Sequence, residues 1–134
     1  MRGEDFVALA GSLAARPSGT EAVYRTATSR AYYGAFHVAC ELLASLGVQA
    51  SYNHADVQRA LFRTGNSAAQ KASYLLADLQ SDRVKADYRL TDAKTGTEAF
   101  AKSSVESATT VIAELGRCYD PSVQESMRRA LNAP

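Results

Sequence analysis

The sequence predicts an all-α fold, an up-and-down helical bundle with three long helices plus short helices. Three observations carry this. Apolar residues recur at helical spacing along almost the whole chain, and no segment shows the alternation of a convincing strand. Capping residues stand where the apolar patterns begin, and glycine or proline stands between them. The chain has 134 residues, which predicts a single domain that buries its own core without metals or disulfides.

A first helix is expected over residues 3–15, with Phe6, Leu9, Ala10 and Leu13 on one side. Pro17, Ser18 and Gly19 break it. Thr20 can cap a second helix over 20–46, its hydroxyl accepting from a free backbone N–H. Ala31, Ala35, Val38, Leu42 and Leu46 form the apolar stripe of that helix, and Gly47 is a natural stop. Asn53 can cap a short third helix ending near Gly65, with Val57, Ala60 and Leu61 facing the bundle.

Ser67 is placed to cap a long fourth helix over 67–90, buried through Ala68, Ala72, Leu75, Leu79, Ala86 and Leu90. After a loop, the fifth helix over 97–119 carries the cleanest stripe: Ala101, Val105, Ala108, Ile112, Leu115 and Tyr119. Asp120-Pro121 reads as a cap followed by proline at the first helical position. The last helix, over 121–131, has a thin stripe of Val123, Met127 and Leu131, suited to weak docking or to a partner.

The composition is that of a soluble globular protein, 46% hydrophobic and 22% charged, with a formal charge of +1. A large nucleic-acid footprint usually shows as a basic excess, so any such contact would come from a local cluster. Glu4 and Asp5 interrupt the start as a signal peptide, and no apolar run reaches the ~20 residues of a membrane span. A cytoplasmic location, away from the membrane, is expected. Cys40 and Cys118 fall in apolar helical patterns and read as free, buried thiols rather than a disulfide.

Two histidines and two separated cysteines lack zinc-ligand spacing, so neither a metal nor any other cofactor is expected. The absence of a phosphate-cradling glycine loop and of a nucleophile elbow argues against ATP-dependent and serine-hydrolase chemistry.

The second helix carries the pattern richest in chemistry. Arg30, Gly34, His37 and Glu41 fall on one ridge outside the apolar stripe. Arg30 and His37 are two turns apart, about 10 Å along the axis, with a notch at Gly34 between them. A phosphate could sit there on Arg30 while His37 exchanges a proton near neutral pH, its imidazole oriented by Glu41. Equally, Gly34 could admit a neighbouring helix and His37 could bond a neighbouring side chain. On the fourth helix Arg83 and Asp87 are spaced to pair, half buried at the edge of the stripe, and Tyr88 offers an aromatic surface. His54, beside Asn53, opens the third helix.

Together these pieces resemble a known family. Ser29-Arg30-Ala31-Tyr32-Tyr33-Gly34-Ala35-Phe36-His37 is similar to the helix-two signature of HEPN domains, the higher-eukaryote and prokaryote nucleotide-binding domains. Asn53-His54 resembles the polar start of their next helix, and Arg83 with Ala86-Asp87-Tyr88 resembles their R-x-x-A-D-Y segment. The resemblance covers about residues 5–118, leaving 121–134 as a C-terminal helix and tail. It implies a homodimer that binds nucleotide, RNA or a partner protein, in a toxin–antitoxin, defence or RNA-processing setting. A nucleotidyltransferase-fold protein is a partner such a domain would have.

The same resemblance also implies an alternative. Active members are metal-independent ribonucleases with an R-x(4–6)-H motif, two copies building one site at the dimer interface. Arg30 and His37 satisfy that spacing as candidate catalytic residues, the histidine transferring a proton and the arginine stabilising charge. The segment from Arg83 to Tyr88, where the matching later helix lies, carries no histidine, which favours a binding member. Tyr33, Glu41, His54, Arg83, Asp87 and Tyr88 complete the candidate ligand-binding or polar cluster. A purely structural adaptor, its polar ridge packed between helices, is the third reading.

Overall fold

The second helix is so rich in alanine that other helices can press against most of its circumference. In the computed structural model, which describes residues 1–49 and 53–134, that helix, α2 (Glu21–Ser45), is the central element. Its five expected stripe residues are all buried, and so are Ala27, Thr28, Ser29, Tyr32, Gly34, Phe36, Ala39 and Leu43. Around it pack α1 (Gly3–Ala14), α3 (His54–Arg63), α4 (Ser67–Tyr88) and α5 (Glu98–Gly116), with α6 (Pro121–Asn132) closing one end. No strand occurs among the described residues.

The pairs α1 and α2, α2 and α4, and α4 and α5 run antiparallel, which leaves α2 and α5 parallel side by side. Gly3 of α1 meets Gly34 of α2, whereas Ala14 packs with Tyr24 and Ala27 near the start of α2. Arg25 reaches the last turn of α4, and Tyr32 lies under Arg83 one and a half turns before that helix ends. Ser104 of α5 donates to Asp82 of α4, while Lys71 and Glu114 pair at the opposite ends of the same two helices. Thr20, Asn53 and Asp120 cap their helices as expected, and Thr97 caps α5. For α4 the cap is Asn66, whose side chain accepts from Ala69 N–H, so Ser67 is the first helical residue instead.

The first helix turns a different face inward than its large residues suggest. Gly3, Val7, Ala10 and Ala14 are buried, Phe6 and Leu13 are partly covered, and Leu9 is 48% exposed. Small residues win because the crossing with α2 is very close. A Cβ on Gly34 would lie 2.5 Å from Val7 Cγ2 and 2.6 Å from the Gly3 carbonyl oxygen. A Cβ on Gly3 would lie 2.5 Å from the Gly34 carbonyl oxygen. The notch at Gly34 is therefore filled by α1 and has no room for a phosphate.

The C-terminal end of α4 is held by an arginine whose role the spacing did not disclose. Arg25 is 7% exposed, and its guanidinium donates to the carbonyls of Lys85, Ala86, Leu90 and Asp92. Helix ends leave their last carbonyls without partners and carry negative partial charge, so a buried cation satisfies both demands. Glu21 holds the Arg25 Nε at 2.9 Å. Leu90, expected inside the helix, lies beyond its end and is 68% exposed. Tyr119 likewise falls in a 3-10 turn, Arg117–Tyr119, and is 45% exposed.

The last helix docks on its own chain. Met127 and Gln124 are buried, and Val123 and Leu131 pack partly covered against the core. Gln124 donates to the Ser45 hydroxyl and the Cys118 carbonyl, and Arg128 donates to the Ser45 carbonyl at the end of α2. The thin apolar stripe is thus supplemented by a polar one.

Two substitutions and one control, followed by urea titration, test these contacts. Gly34→Ala should lower unfolding free energy by about 1–3 kcal/mol, the usual cost of overpacking. Gly116→Ala, where a Cβ meets nothing within 4 Å, should be neutral or slightly stabilising in the same urea titration. Arg25→Met, which removes a donor from four carbonyls of which, among the described residues, Lys85 alone keeps another in Arg89 N–H, should cost about 3 kcal/mol by the same measurement.

Candidate functional site

Three helices bring nitrogen-bearing side chains to the ring of Tyr33. From α2 itself, one turn earlier, the Arg30 guanidinium lies 5.1 Å from the ring centre. From α4, the Arg83 guanidinium lies 5.3 Å away. From the first turn of α3, the His54 ring centre lies 6.4 Å away. Cations favour aromatic faces, so Tyr33 supplies a platform on which both arginines can be held without a counter-ion for each.

One carboxylate pairs with Arg83 and is linked to Arg30 only through the Ser29 hydroxyl. Asp87 pairs with Arg83 Nη1 at 3.7 Å, longer than a hydrogen bond, and accepts from the Ser29 hydroxyl at 3.3 Å. Arg30 in turn donates to Ser29 Oγ at 3.4 Å. Arg83 is only 9% exposed, and its Nε is buried with no acceptor among the described residues. A buried guanidinium in that condition is costly unless a further anion meets it.

His54 is tied from below. The Tyr32 hydroxyl meets His54 Nδ1, and the imidazole also packs edge-on against Phe36 at 4.7 Å. Tyr32 is 1% exposed, and burial drives its phenol pKa far above the ordinary value, so it keeps its proton. The protonated phenol can give or take the hydrogen of this bond, and in either tautomer the contact fixes Nδ1 and the plane of the ring. Burial first, and then the charge of Arg83, lower the His54 pKa below the usual histidine value.

Arg30 and His37 do not form a pair within the chain. Phe6 of α1 stands between them, under the Arg30 guanidinium at 5.3 Å and stacked on the His37 ring at 6.1 Å. His37 is exposed at the rim of a separate groove of about 630 Å³, which Arg2, Phe6, Cys40 and Glu41 also line. Glu41 binds Arg2 at 3.4 Å, and no hydrogen bond joins it to His37 among the described residues. Burial pushes the Cys40 thiol up to about 11, so it is a poor nucleophile at neutral pH. Both cysteines are free, with Cys118 in the core.

The structure thus joins Arg30, Tyr33, His54, Arg83 and Asp87, and leaves His37 with Glu41 in the neighbouring groove. Tyr88 is 73% exposed at the end of α4, outside these contacts. Ser29, Tyr32 and Phe6 belong to the site without having been singled out. The first two lie inside the signature stretch, where position alone could have suggested them. Phe6 had no such signal, because its place depends on how α1 crosses α2. No group of three or more His, Cys, Asp or Glu among the described residues is arranged to hold a metal ion, and no helix there is long and apolar enough to cross a membrane.

Comparison of the chain with family models, curated proteins and solved structures gives no match.

The imidazole of His54 should titrate below the ordinary histidine range in NMR spectra followed against pH. The sign of its effect on stability follows. Between the lowered value and about 6.5 the unfolded chain binds more protons than the folded one, so stability rises with pH through that window. The same NMR series with Tyr32→Phe should show a changed His54 titration, since the bond to Nδ1 is gone.

Proposed function

We propose that this protein is a HEPN-type helical module, acting as a homodimer, that binds the phosphates of nucleotide or RNA at the Arg30–Tyr33–Arg83 cluster. One observation carries the reading. Two guanidiniums share one aromatic ring, only Arg83 is paired with the nearby carboxylate of Asp87, and the buried Arg83 Nε has no acceptor among the described residues. Guanidinium forks suit phosphate oxygens. The all-helical bundle with the signature helix at its centre is in keeping with the family resemblance. The near-neutral overall charge suits a small local site rather than a long electrostatic footprint.

A second reading has one observation in its favour. His37 is exposed, so two copies could combine the Arg30 of one with the His37 of the other in a metal-independent ribonuclease. Within a single chain Phe6 keeps those two groups apart.

A fluorescently labelled oligo-uridylate should bind the pure protein at low salt, with affinity falling as salt rises. Arg30→Gln and Arg83→Gln should each weaken binding by about tenfold or more, the scale of one charge-assisted hydrogen bond. Absence of binding at low salt would remove the proposal. Incubation of the same RNA with protein and EDTA decides the second reading: cleavage that His37→Ala abolishes would establish it, and intact RNA would end it.

A further inference from the structure

We propose that His54 is the third ligand-binding group of this site, and that it takes up one proton as the phosphate of the ligand binds. The inference rests on the phosphate-binding reading above and adds to it a residue and a proton.

The geometry comes first. Three nitrogen bases surround the Tyr33 ring, and His54 is the one among them that can change its charge. Its Nδ1 is occupied by the Tyr32 hydroxyl, which fixes the ring, and its Nε2 has no hydrogen-bond partner among the described residues. A ligand phosphate drawn to Arg83 therefore meets an imidazole edge that is already oriented and unoccupied.

The charges around His54 explain why the proton waits for the ligand. From α2 it faces Tyr32 and Tyr33, with Arg30 beyond Tyr33. From α4 it faces Arg83, whose carboxylate partner is Asp87. On its own helix the nearest acid of the first turn, Asp56, is taken by Arg59. His54 is also the first residue of α3, where the helix presents positive partial charge. Burial and the Arg83 charge are what oppose a positive charge on His54. An incoming phosphate reverses this balance: it offsets Arg83 and offers Nε2–H an anionic acceptor. On protonation both ring nitrogens carry hydrogen, so Nδ1–H donates to the Tyr32 oxygen and Nε2–H is left for the phosphate. The proton comes from solvent, and no bond other than N–H is made or broken.

The probe is an oligo-uridylate with hydroxyl ends. Its phosphodiesters keep a constant charge through the histidine range, unlike a terminal phosphate, which titrates near pH 6. Affinity should fall by up to about tenfold per pH unit between the free and ligand-raised pKa values of His54, the slope of one linked proton. Calorimetry in buffers of different ionisation enthalpy should count up to about one proton taken up. His54→Gln should still bind RNA but lose the slope, and His37→Gln should keep it. In the unaltered protein, NMR should show the His54 titration moving upward when RNA is added, a readout that needs no variant. RNA binding without pH dependence, a slope that survives His54→Gln, or an unmoved His54 titration would overturn the inference and leave the phosphate site standing. Failure of the unaltered protein to bind RNA at any pH would overturn both.

Discussion

The close crossing of α1 and α2 at Gly3 and Gly34 is the constraint on which the rest depends. With no Cβ on either residue, the backbones approach until each carbonyl lies where the other's side chain would be. That approach sets the rotation of α1, which turns its small residues inward and brings Phe6 over the outer ridge of α2. Phe6 then holds Arg30 on one side and stacks on His37 on the other. A larger residue at either glycine would force the helices apart and loosen the aromatic shelf under Arg30. The glycine in the signature stretch thus acts through packing, and its effect on the site is transmitted by α1.

The arginine–tyrosine cluster shows how a nearly neutral chain can concentrate charge. Its two guanidiniums are not neutralised one for one, because aromatic faces take the place of a second carboxylate. Such contacts hold a cation in position without supplying oxygen acceptors, so the N–H donors stay available. A conventional salt bridge at each arginine would have given a more settled core contact and a poorer place for an anion. The Tyr32–His54 link adds a group whose charge answers to its surroundings.

Much of the fold could be read from residue spacing, because caps and apolar periodicity are local properties. Thr20, Asn53, Thr97 and Asp120 mark helix starts by chemistry confined to a few residues. The failures arise where distant segments decide. Leu9 looked like core and faces outward, since the inward face of α1 was chosen by Gly34, which lies 25 positions later. Leu90 looked helical, yet α4 stops short of it, and Arg25 holds the carbonyls at that end. At the site, Arg83 and Asp87 pair as their spacing on one helix suggests. Arg30 and His37 also share a helix, but the residue that separates them comes from another. Helical spacing could not place Arg30 and Arg83 on a common ring, because that requires the packing of α2 against α4.

The grip of Arg25 on the end of α4 has a consequence for motion. The segment after that helix is mostly exposed and buries little apolar surface of its own, apart from Thr95 at 1% exposure. Such a segment would ordinarily open by itself, far more often than the core. Here two of its carbonyls and two from the last turn of α4 share one guanidinium rooted in α2. To release the loop is to take two acceptors from a buried guanidinium that keeps Glu21 and two α4 carbonyls, so the contact opposes opening of the loop alone. The same guanidinium ties the loop to the crossing of α2 with α4, the two helices that carry Arg30 and Arg83.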